Sequence, residues 1–275
     1  MADSPEDPAR YDSLADGYAR HWGPVIRPAA EAVLDRLDHE PAPGARLLDV
    51  GTGTGTLALR ALERWPGVRV TGVDASAAML ALAEDAARGR LPAARLSRFE
   101  RVTAVADALP FDDASFDVAI SSFVLQLVPS RSAALREIRR VLRPGGRLAW
   151  VTWLVGGGRF RGDEVVDEVL DELGFDPPER DDRSGDLASV RAASQATRRA
   201  GFRDVRAAAA ELVHRWDPAA YQAFVTDFDE QTTFESLEPR ERAAAERRLR
   251  DRLARLAVEE LTMRLPIVYV TGAAS

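Results

Sequence analysis

Three glycines stand in the series Leu47-Leu48-Asp49-Val50-Gly51-Thr52-Gly53-Thr54-Gly55, after a short apolar run and ahead of a helical pattern. A strand that feeds a glycine-rich turn into a helix lets the backbone approach a ligand closely. The helix N-terminus beyond it favours a negatively charged group such as a carboxylate or phosphate. Two further acids stand in matching places. Asp74, nineteen residues past Gly55, ends the next apolar run, where a carboxylate can accept hydrogen bonds from both ribose hydroxyls of NAD or of any adenosine ligand. Asp107 follows a third run in Ala106-Asp107-Ala108-Leu109-Pro110-Phe111 and is placed to accept from an adenine amine; a turn or helix-capping acid is the plainer alternative. The glycine spacing is G-x-G-x-G with Thr at position 56, whereas the dinucleotide fingerprint needs G-x-G-x-x-G. By itself the loop also fits a tight strand-to-helix turn with no ligand.

The elements that must hold these residues alternate. Strands are expected over 46–50, 68–74, within 98–107, over 116–121 and over 147–154, with helices over 57–64, 76–87 and 132–142 and a turn at Arg143-Pro144-Gly145-Gly146. Near-continuously apolar strands alternating with helices indicate a parallel sheet covered on both faces. Upstream, Tyr11, Leu14, Tyr18, Trp22, Val25 and Ile26 lead into Ala30, Val33, Leu34 and Leu37, which suits two helical pieces broken near Gly23-Pro24, after a disordered stretch 1–10. Downstream, helices are expected at 163–173, 187–200, 218–228 and 239–258, strands at 202–213 and 261–269, and loops at 155–162 and 174–186. The organisation reads as an N-terminal helical lid (1–40), a ligand-binding core (41–154) and a completion of the sheet (155–275) carrying helical insertions at about 217–258.

With these segments in place the chain resembles the class I S-adenosylmethionine-dependent methyltransferases, and within them the small-molecule group that includes the ubiquinone/menaquinone-biosynthesis methyltransferases. The resemblance rests on Leu47–Gly55, Val73-Asp74-Ala75-Ser76 with Met79-Leu80, Asp107–Phe111, Ser115-Phe116-Asp117 and Val141–Leu148, in order over about residues 45–154. Ala200–Val205 looks like the family's junction into strand six. The resemblance implies an α/β, Rossmann-like doubly wound sheet of seven strands, the last antiparallel, with helical cap additions. It also implies S-adenosylmethionine as cofactor and S-adenosylhomocysteine as product. Gly51, Thr52 and Gly53 would lie along the methionine moiety, with Asp49 orienting that region through the loop or a water. Asp74 would hold the ribose hydroxyls, Ala75 and Met79 would pack on the adenine or ribose face, and Asp107 with the Ala108 amide would read the adenine edge. Ser121 to Phe123 would border the sulfonium and the acceptor, and Tyr18 would help the lid close over the cofactor.

Methyl transfer from a sulfonium is an in-line displacement that depends chiefly on holding nucleophile and methyl close and aligned; a base is needed only if the nucleophile must lose a proton. Composition prunes the acceptors. The chain has no Cys, no Lys and no Asn, and all 37 basic residues are Arg. Thiolate metal sites, cysteine nucleophiles, Schiff bases and a Walker lysine are therefore excluded. Within the family, the cysteine-dependent cytosine-C5 and arsenite reactions and an Asn-containing magnesium site fall away. So does the Asn/Asp-Pro-Pro-Tyr/Phe motif of base and glutamine methylation, because Ser121-Ser122-Phe123-Val124 stands in its place. A small, fairly apolar quinol, phenol or secondary metabolite remains, methylated at oxygen or carbon without a metal.

Candidate proton acceptors are few: His21 on the lid, His214 beside Trp216, and Gln126 after strand four, with His39 read as surface. Aromatic residues of the additions, among them Tyr18, Trp22, Trp153, Phe160, Trp216, Tyr221, Phe224, Phe228 and Phe234, would line an acceptor pocket or anchor the cap helices. A net charge of −7 with no single-sign basic face disfavours nucleic acid. No run suits a membrane span and the acidic start is no secretory signal, so a cytoplasmic protein with a small-molecule substrate is expected. The stripe Leu249, Leu253, Leu256 is internal packing or the face of a homodimer. The rival functions are an NAD-dependent oxidoreductase, against which the missing fingerprint glycine and Asp107 argue, and a non-catalytic S-adenosylmethionine-binding protein on the same fold.

Overall fold

The apolar runs of the first half become β1 (Arg46–Val50), β2 (Arg69–Asp74), β3 (Phe99–Thr103) and β4 (Phe116–Ser122), all but β3 buried along most of their length. In a computed structural model, which describes residues 8–175 and 185–275, these join β5 (Leu142–Trp153), β6 (Phe202–Arg215) and β7 (Thr262–Ala274) in one seven-stranded sheet of order β3-β2-β1-β4-β5-β7-β6. Strands β1 to β5 pair in parallel, and β7 runs antiparallel to both β5 and β6. The expected seven strands with an antiparallel last strand are therefore present, β7 being inserted between β5 and the edge strand β6.

Helices α1 (Pro8–Gly17) and α2 (Gly23–Glu31) form the N-terminal arm, and α3 (Thr56–Arg64), α4 (Ala77–Arg90), the short α5 (Ala93–Leu96) and α6 (Arg131–Val141) connect the first five strands. Beyond β5 come α7 (Arg161–Asp171), α8 (Val190–Arg199), α9 (Pro218–Phe224), α10 (Gln231–Ser236) and α11 (Pro239–Leu253). The spacing of apolar residues on α3 puts Leu57, Ala58, Ala61 and Leu62 into the core formed by one face of the sheet. On α6, Ala134, Leu135, Ile138 and Val141 cover the other face.

Three local expectations change. The N-terminal arm is not broken at Gly23-Pro24: a π turn, Tyr18–Trp22, joins α1 to α2, and the Gly23 N–H donates to the Tyr18 carbonyl five residues back. A widened turn carries Pro24, which has no N–H to donate, into the helix without a break. Residues 8–10 of the stretch expected to be disordered are helical, with Pro8 opening α1; residues 1–7, and 176–184 of the expected loop, lie outside the described residues. The turn at 143–146 belongs to β5, because Phe116 pairs with Leu142 and Val118 with Arg147, leaving the extra β5 residues in a bulge where Gly145 takes φ +79. The leucine stripe packs internally, one of its two expected roles: Leu249 and Leu253 are fully buried and Leu256 half-buried, with α11 against α7 and α9.

Candidate functional site

Strand order reverses between β1 and β4, and in such sheets the crevice beyond the strand C-termini at that point is where ligands bind. The chain leaves β1 there through the glycine loop. The Gly51 and Thr52 N–H groups both donate to the Val73 carbonyl at 2.8 Å, which ties the loop to the end of β2. Gly51 has φ +70, and a Cβ on it would lie 2.1 Å from Val124 Cγ2. Gly53 has φ +53, and a Cβ there would meet nothing within 4 Å. The first glycine is thus required by close packing, and the second leaves an open cradle of bare backbone.

Two aspartates set the electrostatics of the loop. Asp49, 1% exposed, accepts a 2.8 Å hydrogen bond from the Thr52 hydroxyl on Oδ2, while its buried Oδ1 has no partner among the described residues. Burial pushes its carboxyl up to about 7; the Thr52 hydroxyl and Ala58 amide act the other way, and the charge of Asp74 adds to the rise. Asp74 at the end of β2 accepts from the Gly53 N–H at 2.8 Å on Oδ2 and from the Ser76 N–H at 3.0 Å on Oδ1. Burial raises its carboxyl above the ordinary range, offset by the Ser76, Gly53 and Ala75 amides. Ser76 caps α4 by accepting from the Met79 N–H, and its hydroxyl donates to Asp12 Oδ1 at 2.5 Å. The Ala78 N–H donates to the same Asp12 oxygen at 3.1 Å. The N-terminal arm is thereby fastened across the start of α4.

Above the loop lies a cavity of about 260 Å³. Gly51, Thr52, Gly53, Asp74, Ala75, Met79, Val105 and Asp107 line it. Tyr18, Ile26 and Ala30 of the arm line it as well, as do Phe123, Val124, Leu127 and Pro129 from the loop after β4. Of the residues singled out from sequence, Tyr18, Gly51, Thr52, Gly53, Asp74, Ala75, Met79, Asp107 and Phe123 line this one space. Asp49 lies under the loop. Ala108 stands off the cavity with its N–H donating to the Val105 carbonyl at 3.2 Å, and Ser121 is buried with its hydroxyl on the Val50 carbonyl at 2.8 Å. Ile26, Ala30, Val105, Leu127 and Pro129 were not singled out; an apolar run in a loop, Val124-Leu125-Gln126-Leu127-Val128-Pro129, was the signal for two of them.

The three polar candidates lie elsewhere. His21 sits in the π turn of the arm, its Nε2 buried without a partner among the described residues; burial lowers its pKa, partly offset by Asp227. His214, on the edge strand, packs edge-on against Trp216 at 4.5 Å, and burial lowers its pKa as well. Gln126 does not line the cavity: its Nε2 donates to the Phe123 carbonyl at 2.8 Å and its Oε1 accepts from the Thr152 hydroxyl at 2.7 Å. The aromatic residues gather into a cap. Phe123 stacks on Trp153 at 4.1 Å, Trp153 meets Trp22 at 6.3 Å, and Trp22 stacks on Phe224 at 5.6 Å. A second π turn, Val225–Asp229, presents Phe228 to Tyr18 at 6.4 Å.

Residues 48–150 match the family model described as a methyltransferase domain. Over 95% of its length the chain is 32% identical to nocamycin O-methyltransferase of Saccharothrix syringae, 96% of which is covered. The chain belongs to the S-adenosylmethionine-dependent methyltransferases. It is also 44% identical over 140 residues to the ubiquinone/menaquinone biosynthesis C-methyltransferase of Paracoccus denitrificans, a match that spans about half of each chain, 51% here and 53% there. Among solved structures, phosphoethanolamine N-methyltransferase 2 of Haemonchus contortus, in complex with phosphomonomethylethanolamine and S-adenosylhomocysteine, superposes with TM-score 0.58 at 20% identity, covering 99% of this chain and 60% of that one. The [4+2]-cyclase SpnF superposes equally well, TM-score 0.58 at 22% identity over 98% of this chain and 97% of its own. The methyltransferase fold thus also carries a protein named for another activity, so the fold alone does not decide the chemistry.

Proposed function

We propose that this methyltransferase transfers the methyl group of S-adenosylmethionine to an oxygen or carbon of a small, fairly apolar acceptor. The reading is carried by one observation: the glycine loop, Asp74, Asp107 and the lid residue Tyr18 meet around a single cavity. The residues present fit the cofactor. The bare backbone at Gly53 is a cradle that a side chain would fill, and the orphaned Asp49 Oδ1 beneath it lacks a donor. When bound, the cofactor supplies an electrophilic methyl on a positively charged sulfur.

The chain's own groups hold and align. Both Asp74 oxygens are aimed by backbone N–H groups and keep lone pairs for two ribose hydroxyls. Asp107, which lines the cavity, would accept from an adenine amine, and Ala75 and Met79, which line it too, would pack beside the ring. Tyr18, Ile26 and Phe123 exclude water and narrow the approach of the acceptor, so that proximity and alignment provide most of the rate. Neither His21, His214 nor Gln126 lines the cavity, so none of these three is placed to take a proton from the acceptor. His214 is on the edge strand, and Gln126 is engaged with Phe123 and Thr152.

Calorimetry with S-adenosylmethionine, S-adenosylhomocysteine and NAD tests the cofactor reading: tight binding of the first two and none of NAD is expected, and failure to bind either sulfur compound overturns it. Incubation with methyl-labelled cofactor and a panel of phenols, quinols and amines tests the transfer, and labelled products confined to the amines would overturn the acceptor class.

A further inference from the structure

Among the described residues three that are not glycine have positive φ: Ala114, Phe123 and Asp204. Phe123 (φ +54) stands apart, because it is an aromatic residue, 6% exposed, and it lines the cavity. A bulky side chain in the left-handed region is strained and persists only where its surroundings hold it. Three contacts do so. The Phe123 N–H donates to the Val151 carbonyl at 3.0 Å, its ring stacks on Trp153 at 4.1 Å and 28°, its carbonyl accepts from Gln126 Nε2 at 2.8 Å, and Gln126 is in turn steadied by the hydroxyl of Thr152, which is 0% exposed.

Among these contacts only the Gln126 amide links the carbonyl side of the strained residue to the core of the sheet. An extended backbone at Phe123 would swing the ring off Trp153, and Trp153 is what meets Trp22 of the lid. The wall of the cavity and the seat of the lid therefore depend on one dihedral angle, and that angle depends on a side chain that does not reach the cavity. We propose that Gln126 is a positioning residue: it clamps Phe123 in its left-handed backbone so that the ring forms the wall between the cofactor cavity and the aromatic cap. This rests on the reading of the cavity as the cofactor site.

The experiment is a double-mutant cycle read with S-adenosylhomocysteine by calorimetry and, with no ligand, by near-ultraviolet circular dichroism of the Phe123–Trp153 stack. Gln126→Glu keeps an acceptor for Thr152 and loses the donor to Phe123. It should weaken S-adenosylhomocysteine binding about tenfold and change the aromatic dichroism. Phe123→Gly removes the ring and the need for restraint, so adding Gln126→Glu to it should change the affinity by less than about twofold. Should the glycine variant not fold, Phe123→Asn, which tolerates the same backbone, replaces it. Equal losses in both backgrounds would mean that Gln126 acts independently of Phe123, and no loss in either would mean that it restrains nothing; both overturn the proposal. If the unmutated protein binds no S-adenosylhomocysteine, the cofactor reading fails instead, and an unchanged dichroism spectrum in Gln126→Glu still decides against the clamp.

Discussion

Replacing Asp49 by Asn should change how stability depends on pH more than stability itself. In the folded chain burial raises the Asp49 carboxyl to about 7, against an ordinary value of 3.8. An acid whose folded pKa is raised binds its proton more tightly folded than unfolded. Stability from this group is therefore fully present below the unfolded pKa, falls as pH rises through the interval between the two values, and is gone above the folded one. About three pKa units at 1.36 kcal/mol each makes the loss about 4 kcal/mol between pH 4 and pH 7. Asn cannot titrate, but it can still accept from the Thr52 hydroxyl and buries an amide where Oδ1 has no partner, a pH-independent cost of about 1–3 kcal/mol. Urea unfolding of both proteins at pH 5, 6, 7 and 8 separates the two effects. The stability of the parent relative to Asp49→Asn should decline steadily to about pH 7 and then level. Other groups that titrate in this range, His21 and His214 among them, largely cancel in the difference. Parallel curves across the whole range would refute the buried, raised carboxyl.

Gly51→Ala and Gly53→Ala should divide stability from binding. The first drives a Cβ to 2.1 Å from Val124 and should cost about 2–4 kcal/mol in unfolding free energy, whereas the second meets no atom, costs about 1 kcal/mol of backbone strain and should chiefly weaken S-adenosylhomocysteine binding by calorimetry. Asp74→Ala should lower that affinity by about a hundredfold or more while circular dichroism reports a folded protein; retained affinity would exclude its ribose role. Asp12→Ala removes the acceptor that fastens the arm to Ser76 and Ala78, and should speed trypsin cleavage at the exposed Arg20. Those hydrogen bonds hold the Asp12 carboxyl below its ordinary range, so in the parent the arm should stay protected until the pH falls below that range, and an unchanged cleavage rate in the variant would refute the latch.

Much of the lining of the cavity was legible because its signals are local. A glycine loop needs its backbone conformation whatever the rest of the fold does, and an acid at the end of a parallel strand is delivered to the same edge of the sheet as the loop. Hence Gly51, Gly53, Asp74 and Asp107 meet as expected. The residue pattern of β5 misled at Arg143-Pro144-Gly145-Gly146, since a turn-like tetrapeptide and a bulge have the same local composition and only the partner strand distinguishes them. The arm misled at Gly23-Pro24 because a π turn leaves no compositional mark.

By itself the sequence determined the order of strands and helices, the loop, the acids that line the cavity and the chemistry that the absent Cys, Lys and Asn exclude. The tertiary structure alone decided where the long-range polar groups point: Asp12 onto Ser76 across 64 residues, Thr152 onto Gln126 across 26, and Gln126 toward the Phe123 carbonyl instead of the cavity. A side chain's direction follows from which backbone faces it after the sheet has closed, and that neighbour is set by packing between elements far apart in the chain, whereas periodicity and spacing record only the conformation of each element alone.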